Sequence, residues 1–427
     1  MRVEEINAVV ETFKEEIAQI CSKLVQIPTP NPPGRTDACA QYIKDYFDDA
    51  GVPSKIFQRY EGKTNVCAKV RGQLEKTILW VGHIDVVPEG DPRSWKFEPY
   101  SGTITEDGRI YGRGSSDMKG SCAAAVVAAR VLQGIEDEIP NVEFWFTCDE
   151  EIGGKDGALW LAQDGHLKGD VCIIGDSSWS ASKLSIDLGC KGALRPKITA
   201  RGVTAHGARP YLGDNAIEKL ISVISHVKRI EDYRLRVPPE LESVIKSSIE
   251  LLLGEPDLTE RQREAVRHSY HYPTVSLNIM QAGVKVNVVP DTAEAIFDIR
   301  LTPGTRMDEV RERLLELVNE ADVPGIDIEM DMVSDVAGYY EVPNSFFVAQ
   351  LSDAVEMATG TRPAFRILSG GTDAIPIKKY SGIPCLGFGG AVEGQAHVPN
   401  EYVTIDSLVT AAKAYAIFPL KYNNSLS

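Results

Sequence analysis

Apolar residues in the first part of the chain follow two patterns, helical spacing and short continuous runs. Apolar side chains that recur every three or four residues predict amphipathic helices, and short unbroken apolar runs are typical of buried strands. The predicted elements are helices over 6–27, 37–50 and 121–132 and strands over 77–82, 142–147 and 171–174. Strands that alternate with helices predict an α/β fold with a mostly parallel sheet covered on both faces.

The pattern changes after about residue 191. The next elements are predicted in the order strand, helix, strand, strand, helix, strand, which is the split βαβ unit of a small α/β sandwich. Their ranges are 193–200, 216–230, 274–281, 293–300, 307–320 and 326–332. Residues 231–272 are polar and helix-like and have no place in that order. We therefore interpret them as an insertion that covers a site or forms an interface.

The last part of the chain resembles the first. Helices are predicted over 346–359 and 405–418, with a glycine-rich segment between them. The simplest organisation is a larger domain formed by residues 1–190 and 338–427, into which a smaller domain of residues 191–337 is inserted.

Composition restricts the classes of partner. The 427 residues include 45 Lys and Arg against 61 Asp and Glu, a net charge of −16, which makes nucleic acid and anionic membranes poor partners. No apolar run approaches the roughly 18 residues that a membrane span needs. The N-terminus lacks the pattern of a signal peptide, and the eight cysteines form no Cys-x-x-Cys pair. We expect a cytoplasmic protein whose thiols are free and buried.

Polar residues that can carry chemistry follow the predicted strands. His83 and Asp85 come after the strand at 77–82, and the two-residue period of an extended chain puts both on one side. A histidine there can bind a metal through one ring nitrogen while a carboxylate holds the other. Asp117 lies in the glycine-rich segment 112–120, just before a predicted helix.

Three further groups follow the same rule. Glu150 and Glu151 end the strand at 142–147, and adjacent residues of an extended segment point in different directions. One of them can therefore bind metal while its neighbour addresses a water. Asp176 follows the strand at 171–174, and His397 lies in a loop after a glycine-rich stretch.

Each of these residues, taken alone, also has a purely structural explanation. Asp117 suits a helix N-cap, and two acids at a strand end are often only solvated. Taken together, two histidines and three carboxylates suit a pair of zinc-like divalent cations, with one carboxylate shared.

These motifs resemble one enzyme family over nearly the whole chain. Separated blocks at 81–90, 107–120, 148–153 and 397–401 occur in the family's order, and the resemblance includes the inserted domain. The sequence is similar to the co-catalytic zinc metallopeptidases, which include acetylornithine deacetylase, succinyl-diaminopimelate desuccinylase, aminoacylase and glutamate carboxypeptidase. The resemblance implies a catalytic domain with an inserted dimerisation or lid domain.

The resemblance also implies roles for the candidate residues. Asp117 corresponds to the carboxylate that bridges two divalent ions, zinc in the first place, with cobalt or manganese as alternatives. His83 and Asp176 complete one metal site, and Glu151 and His397 complete the other. Glu150 corresponds to the general base and Asp85 to the partner of His83. The family has a cis peptide after the bridging residue, which here is the bond between Asp117 and Met118.

Further residues are implied by the match in and after the inserted domain. His206 corresponds to a histidine that reaches the active site of the other subunit of a homodimer. The residues implied to hold a substrate carboxylate are Asn287, Arg300, Gly370, Gly371 and Thr372. Asp176 departs from the deacylase pattern, because deacylases and carboxypeptidases of the family carry Glu there and the di- and tripeptidases carry Asp.

The leading hypothesis is a metal-dependent amide hydrolase that removes the acyl group from a small N-acyl amino acid. The first alternative is a dipeptidase or aminopeptidase acting on short peptides, which Asp176 favours. The alternative from another class is a non-catalytic binding protein that keeps the fold. The first two imply metal-dependent turnover, and the third does not.

Overall fold

The computed structural model describes residues 3–179, 183–255, 258–330 and 336–423. Within these residues, the α-helices are α1 (Val3–Thr12), α2 (Lys14–Val25), α3 (Asp37–Asp49), α4 (Gly120–Gln133), α5 (Ala158–Gln163), α6 (Ala216–Val227), α7 (Glu242–Leu253), α8 (Glu260–His268), α9 (Met307–Glu320), α10 (Phe346–Thr359), α11 (Ala374–Ser381) and α12 (Ile405–Asn423). None of these helices is both long and apolar enough to cross a bilayer.

The strands in the same ranges are β1 (Ser54–Tyr60), β2 (Lys63–Val70), β3 (Leu74–His83), β4 (Thr103–Ile104), β5 (Arg109–Tyr111), β6 (Pro140–Thr147), β7 (Val171–Ile174), β8 (Ser178–Trp179), β9 (Ser185–Cys190), β10 (Gly192–Leu194), β11 (Pro196–Arg201), β12 (Ala205–His206), β13 (Thr274–Ala282), β14 (Val288–Val289), β15 (Thr292–Leu301), β16 (Ile326–Met330), β17 (Tyr339–Tyr340), β18 (Ala364–Leu368), β19 (Cys385–Gly387), β20 (Ala391–Val392) and β21 (Tyr402–Thr404).

The chain divides into two compact units. The first comprises Met1–Leu188, Glu341–Arg366 and Thr372–Ser427, and the second comprises Gly189–Tyr340 and Ile367–Gly371. Both units are therefore discontinuous in sequence. The second unit takes in residues 367–371, which the sequence analysis assigned to the larger domain.

The first unit is built on a sheet whose centre is parallel. Its strands lie in the order β1-β2-β6-β3-β7-β19-β9. The four central strands β6, β3, β7 and β19 pair in parallel, while the outer pairings β1–β2, β2–β6 and β19–β9 are antiparallel. All four residues of β7 are buried, as expected of a strand covered on both faces. The predicted α/β class is confirmed, with antiparallel strands at the edges of the parallel centre.

Helix α4 explains how the first unit buries its sheet. Twelve of its residues are buried, including a run of alanines and valines from Ala123 to Ala129. A helix that is apolar all round must be enclosed. It packs against α12, and both contact β6. Eight cysteines, all free, are buried, as predicted.

The second unit is an antiparallel sheet covered by helices. Strands β10, β11 and β13 pair with β15, and β16 pairs with β11. Apolar residues of α6 and α9, such as Leu220 and Leu314, form one core with Phe297 of β15. The element order β11, α6, β13, β15, α9, β16 is the predicted split βαβ unit.

Several predicted boundaries were wrong. The helix predicted over 6–27 is two helices, because the chain leaves helical geometry at Phe13. The strand predicted over 193–200 is interrupted between β10 and β11. The helix predicted to reach residue 230 ends at Val227 and continues as a 3-10 turn over Lys228–Asp232. Helix α12 runs past the predicted end at 418, with Pro419 inside it. The predicted strand end at 332 lies outside the described residues.

Candidate metal centre

The candidate residues lie where three parallel strands end. His83 ends β3, Glu150 and Glu151 form the 3-10 turn Glu150–Ile152 just after β6, and Asp176 follows β7. The chain passes from β3 to β6 on one side and then to β7 on the other side of β3. Such a reversal leaves a crevice at the carboxyl ends of the strands, where α/β proteins bind their ligands.

Asp117 lies between the two predicted histidine ligands. Its Oδ1 is 3.1 Å from His83 Nε2, and its Oδ2 is 3.1 Å from His397 Nε2. His397 Nε2 is also 3.2 Å from Glu151 Oε2. The peptide bond between Asp117 and Met118 is cis, as the resemblance implied. The carboxylate of Asp117 therefore faces both histidines, one oxygen to each.

Two groups of side chains have the composition of metal sites. One is His83, Asp117 and Asp176, the other is Asp117, Glu151 and His397, and the possible ligand atoms within each group lie within 4.8 Å of one another. Asp117 belongs to both groups. His83 Nε2 and Asp117 Oδ1 are buried and make no hydrogen bond within the described residues. Imidazole and carboxylate ligands with unsatisfied buried atoms fit divalent cations.

Local structure explains how Asp117 reaches this position. Gly114 has a φ of +84°, which favours glycine and turns the chain just before Asp117. Met118 is fully buried, and its Sδ is 3.2 Å from the backbone nitrogen of His83. The Asp117 loop is therefore packed directly against the end of β3.

The centre carries more acids than bases. Burial opposes protonation of His83, but its contact with Asp117 and the charges of Glu150 and Asp85 raise its pKa well above the usual value. Hydrogen bonds with Asp117 and Glu151 raise the pKa of His397 to about 10. Burial would raise the pKa of Asp117, yet the two histidines hold it below its usual value.

The pKa values of Asp176 and Glu150 are raised, whereas that of Asp117 is lowered. Burial, with the negative charge of Asp117, raises the pKa of Asp176 to about 7. Burial also raises the pKa of Glu150 well above its usual value; the positive charge of His83 opposes this, and nearby carboxylates add to it. Glu150 Oε2 is 4.0 Å from His83 Nε2. The pocket thus has an excess of negative charge that a cation would relieve.

We predicted that the Asp85 carboxylate holds His83, but in the structure the carboxylate lies too far away. His83 Nδ1 lies 3.0 Å from the backbone oxygen of Asp85 and 3.7 Å from its carboxylate, which is too long for a hydrogen bond. The carboxylate instead accepts hydrogen bonds from the backbone nitrogens of Glu150 and Glu151, at 3.2 and 3.3 Å. Asp85 therefore orients both sides of the centre, His83 by its backbone and the glutamates by its side chain.

A second layer behind Asp85 was not identified from the sequence. Asn31 donates to Asp85 at 2.8 Å and to Asp149 at 3.2 Å. Lys63 donates to Asp149 at 2.6 Å, and Asp149 has a φ of 71°. Asn31 belongs to the proline-rich stretch 28–34, a composition that indicates only a turn after a helix.

Asp373 was also missed. It follows Thr372, is 5 % exposed, and accepts a hydrogen bond of 3.0 Å from Thr147 at the end of β6. Burial raises its pKa to about 6, although the charge of His83 opposes the shift. The sequence signal that was available is an acid directly after the glycine-rich segment predicted to hold the substrate. Thr372 itself is buried, and its hydroxyl accepts from the backbone nitrogen of Ala374.

The other predicted residues belong to the second unit. His206 on β12 is exposed and pairs with Val288 of β14, next to Asn287, whose backbone oxygen accepts from Gly207. Arg300 lies elsewhere, on β15, where Asp298 accepts from its Nε and Nη2 at 2.6 and 3.0 Å. The unit thus brings His206 and Asn287 together. Gly370 and Gly371 are exposed and belong to the segment 367–371.

Comparisons with known proteins agree with this geometry. Residues 79–421 match the model of peptidase family M20/M25/M40. A probable succinyl-diaminopimelate desuccinylase of Staphylococcus aureus is 27% identical over 419 residues, which cover 96% of this chain and 98% of that protein.

Solved structures show the same fold. An M20 family metallo-carboxypeptidase from Sulfolobus solfataricus superposes with a TM-score of 0.78 at 25% identity, covering 95% of this chain and 99% of that one. A dinuclear metal binding peptidase of the M20 family from Bacillus subtilis has a TM-score of 0.67 at 16% identity, covering 96% and 98%.

Binding of a divalent ion to metal-free protein at pH 8 is expected to release protons. His397, with a pKa of about 10, is protonated at that pH, and a metal binds only the neutral imidazole. Calorimetric titration in two buffers of different ionisation enthalpy measures the number released. His397→Asn should release about one proton fewer than the wild type. His226→Asn is the matched control, because His226 is a half-buried histidine on α6 outside the candidate ligand groups. Equal release by all three proteins would contradict the assignment of His397.

Proposed function

Because the chain belongs to peptidase family M20/M25/M40, we propose that this metal-dependent hydrolase removes the acyl group from a small N-acyl amino acid. The observation that carries the proposal is the position of Asp117, 3.1 Å from a nitrogen of each histidine, with Glu150 beside His83. A shared carboxylate and a separate acid are what a two-metal hydrolysis requires.

Two divalent ions would be held by the two groups that share Asp117. One group is completed by His83 and Asp176, the other by Glu151 and His397. When bound, the ions polarise the amide carbonyl and make water a stronger acid. We assign zinc, because imidazole and carboxylate ligands suit it, and keep cobalt and manganese as alternatives.

Glu150 is the proposed general base. Its buried, acid-rich surroundings raise its pKa, which brings the carboxylate closer to the range where it can both take and return a proton. It takes the proton of the attacking water and passes it to the nitrogen of the leaving amine. The backbone hydrogen bond from Glu150 to Asp85 fixes the turn that presents this side chain.

His206 is the proposed donor to the oxyanion formed by attack on the amide. Its Nδ1 accepts a hydrogen bond of 3.0 Å from the backbone nitrogen of Ala208, so the neutral ring carries its proton on Nε2. Preorganised donors of this kind stabilise developing negative charge. We assign it to the active site of a second copy of the chain.

A homodimer through the second unit is supported by the edge of its sheet. Strand β13 pairs only with β15 within the described residues, and its nine residues contain no charge. Ile279, Met280, Val284 and Val286 on or just after β13 are exposed. An uncharged, partly apolar edge strand is a template for pairing with another strand. A second β13, related by a twofold axis, is the proposed partner.

A substrate carboxylate is the proposed ligand of the basic and amide groups that the family resemblance implied. Asp298 occupies Nε and Nη2 of Arg300, so Nη1 is the nitrogen assigned to the substrate. Asn287 and the segment of Gly370, Gly371 and Thr372 are the proposed additional donors. The Staphylococcus aureus relative is named for removal of a succinyl group, which supports an acyl amino acid as substrate.

A cytoplasmic location is proposed from the cysteines. All eight are buried and free, which suits a reducing compartment.

A dipeptidase activity is the second candidate, and Asp176 favours it. The shorter side chain at this metal-ligand position leaves more room beside the first metal for the free amine of a peptide. Turnover of acetyl- and succinyl-amino acids against a panel of dipeptides separates the two activities. Cleavage of dipeptides alone would contradict the acyl proposal, and Asp176→Glu should then shift the ratio toward acyl substrates.

Removal and restoration of metal tests the hydrolytic proposal. A chelator should abolish amide cleavage, and two equivalents of divalent ion should restore it. Glu150→Gln should lower kcat by about 10²–10⁴-fold, because a general base contributes that much, while the protein still binds both ions. Glu143→Gln on β6, whose partner is Lys69, is the matched control and should leave kcat unchanged. Full activity in Glu150→Gln would contradict the role of Glu150.

Mixing two inactive variants tests the exchange of His206 between subunits. His206→Asn and Glu150→Gln homodimers should each be inactive, and unfolding and refolding them together should restore about a quarter of the wild-type sites, because half of the dimers are mixed and each has one intact site. Activity that stays at the level of the separate variants would contradict a shared site. Full activity of protein that sediments as a monomer would contradict it as well.

A further inference from the structure

Glu401 is a fully buried acid whose role the metal centre does not explain. It lies four residues after His397, and both of its carboxylate oxygens are in use. Oε1 accepts from the backbone nitrogens of Ser116 at 2.8 Å and Asp117 at 2.9 Å. Oε2 accepts from the backbone nitrogen of Gly114 at 3.0 Å and from Arg113 Nη1 at 2.6 Å.

The donors identify what Glu401 holds. Three of the four are backbone amides of the segment that ends at Asp117. The segment turns sharply at Gly114, whose φ is +84°. A carboxylate that accepts three amides fixes the path of the backbone, and therefore the direction in which the next side chain points. The side chain so directed is the Asp117 carboxylate.

The same residue also fixes the loop of His397. His397 and Asn400 both have a φ of 63°, a conformation that needs support from its surroundings. Asn400 accepts from the backbone nitrogen of Lys96 at 2.5 Å and donates to the backbone oxygen of Ser94 at 3.1 Å. Together with Glu401, these contacts tie the C-terminal end of the segment from His397 to Glu401 to the rest of the first unit.

We propose that Glu401 is a positioning residue of the dinuclear centre: it joins the loop of Asp117 to the loop of His397 and so sets the spacing of two metal ligands. The inference rests on the proposed function only in that it requires metal binding at Asp117. Ser116 and Glu401 are 285 residues apart in sequence, so this hydrogen bond links distant parts of the chain at the centre itself. Residues behind metal ligands commonly change metal affinity about 10–100-fold when replaced.

The alternative is that Glu401 and Arg113 are only a buried ion pair. Arg113 is itself buried, and its guanidinium lies over the ring of Trp95. Loss of such a pair lowers the stability of the whole unit, with or without metal. Loss of a positioning residue lowers metal affinity in protein that is still folded. The two roles are therefore separated by measuring affinity and stability on the same variant.

The test is Glu401→Gln, which keeps the size of the side chain but places an amide NH₂ against backbone N–H donors. Competition with a chelator, followed by the visible spectrum of Co²⁺, measures the affinity for each ion. We expect at least one ion to bind about 10–100-fold more weakly, and kcat to fall more than KM changes. Unfolding of the metal-free protein is measured in parallel.

Glu341→Gln is the matched control. Glu341 is a largely buried acid of the same unit that accepts from a lysine, Lys378, and from one backbone nitrogen, that of Cys385. The Glu341→Gln protein should bind both ions with the affinity of the wild type. A folded Glu401→Gln protein with wild-type affinity for both ions would overturn the proposal.

A second variant covers the case in which Glu401→Gln does not fold. Glu401→Asp keeps the charge but is one methylene too short to meet all four donors. It should weaken binding of at least one ion, and wild-type affinity in it would overturn the proposal. If the wild type binds two ions but cleaves no amide, the proposed function fails, while the affinity measurement still decides the role of Glu401.

Discussion

Concentration of negative charge in one crevice is the constraint on which this structure depends. Five acids, Asp117, Glu150, Glu151, Asp176 and Asp373, meet two histidines at the end of the parallel sheet. Buried charges of one sign are costly unless opposite charge is nearby. The pKa shifts follow from that cost. The pKa values of both histidines and of Asp176 and Glu150 are raised, so all four groups hold their protons more strongly than usual. Two divalent cations would replace those protons and satisfy the same groups.

The fold supplies this crevice through strand order. Parallel pairing of β6, β3 and β7 brings the carboxyl ends of three strands to one edge of the sheet. The Glu151 side chain, for example, accepts a hydrogen bond from the backbone nitrogen of Val87, 64 residues earlier in the sequence. The turns that carry the candidate ligands are held by other side chains, which accept backbone amides. Asp85 does this for the turn of Glu150 and Glu151, and Glu401 does it for the loop of Asp117. Buried carboxylates that accept these amides fix the path of the backbone on both sides of the centre.

The sequence predicted the candidate metal ligands better than the residues that hold those ligands in place. Each predicted ligand follows a local signal, an apolar strand or a glycine-rich turn. The structure brings the possible ligand atoms of all five, His83, Asp117, Glu151, Asp176 and His397, together in two groups. The contacts of Asn31, Asp373 and Glu401 join residues far apart along the chain, which no local pattern encodes. The role of Asp85 was misjudged for a related reason. Strand periodicity fixes the side on which a residue lies, but not which atom meets the histidine. Helix ends were misjudged where apolar spacing continues across a break, as at Phe13.

Anomalous diffraction from crystals grown with zinc or cobalt tests the dinuclear centre most directly. Two ions per chain are predicted, each in contact with a different oxygen of Asp117, one beside His83 and Asp176 and the other beside His397 and Glu151. A single ion, or ions bound away from Asp117, would contradict the assignment.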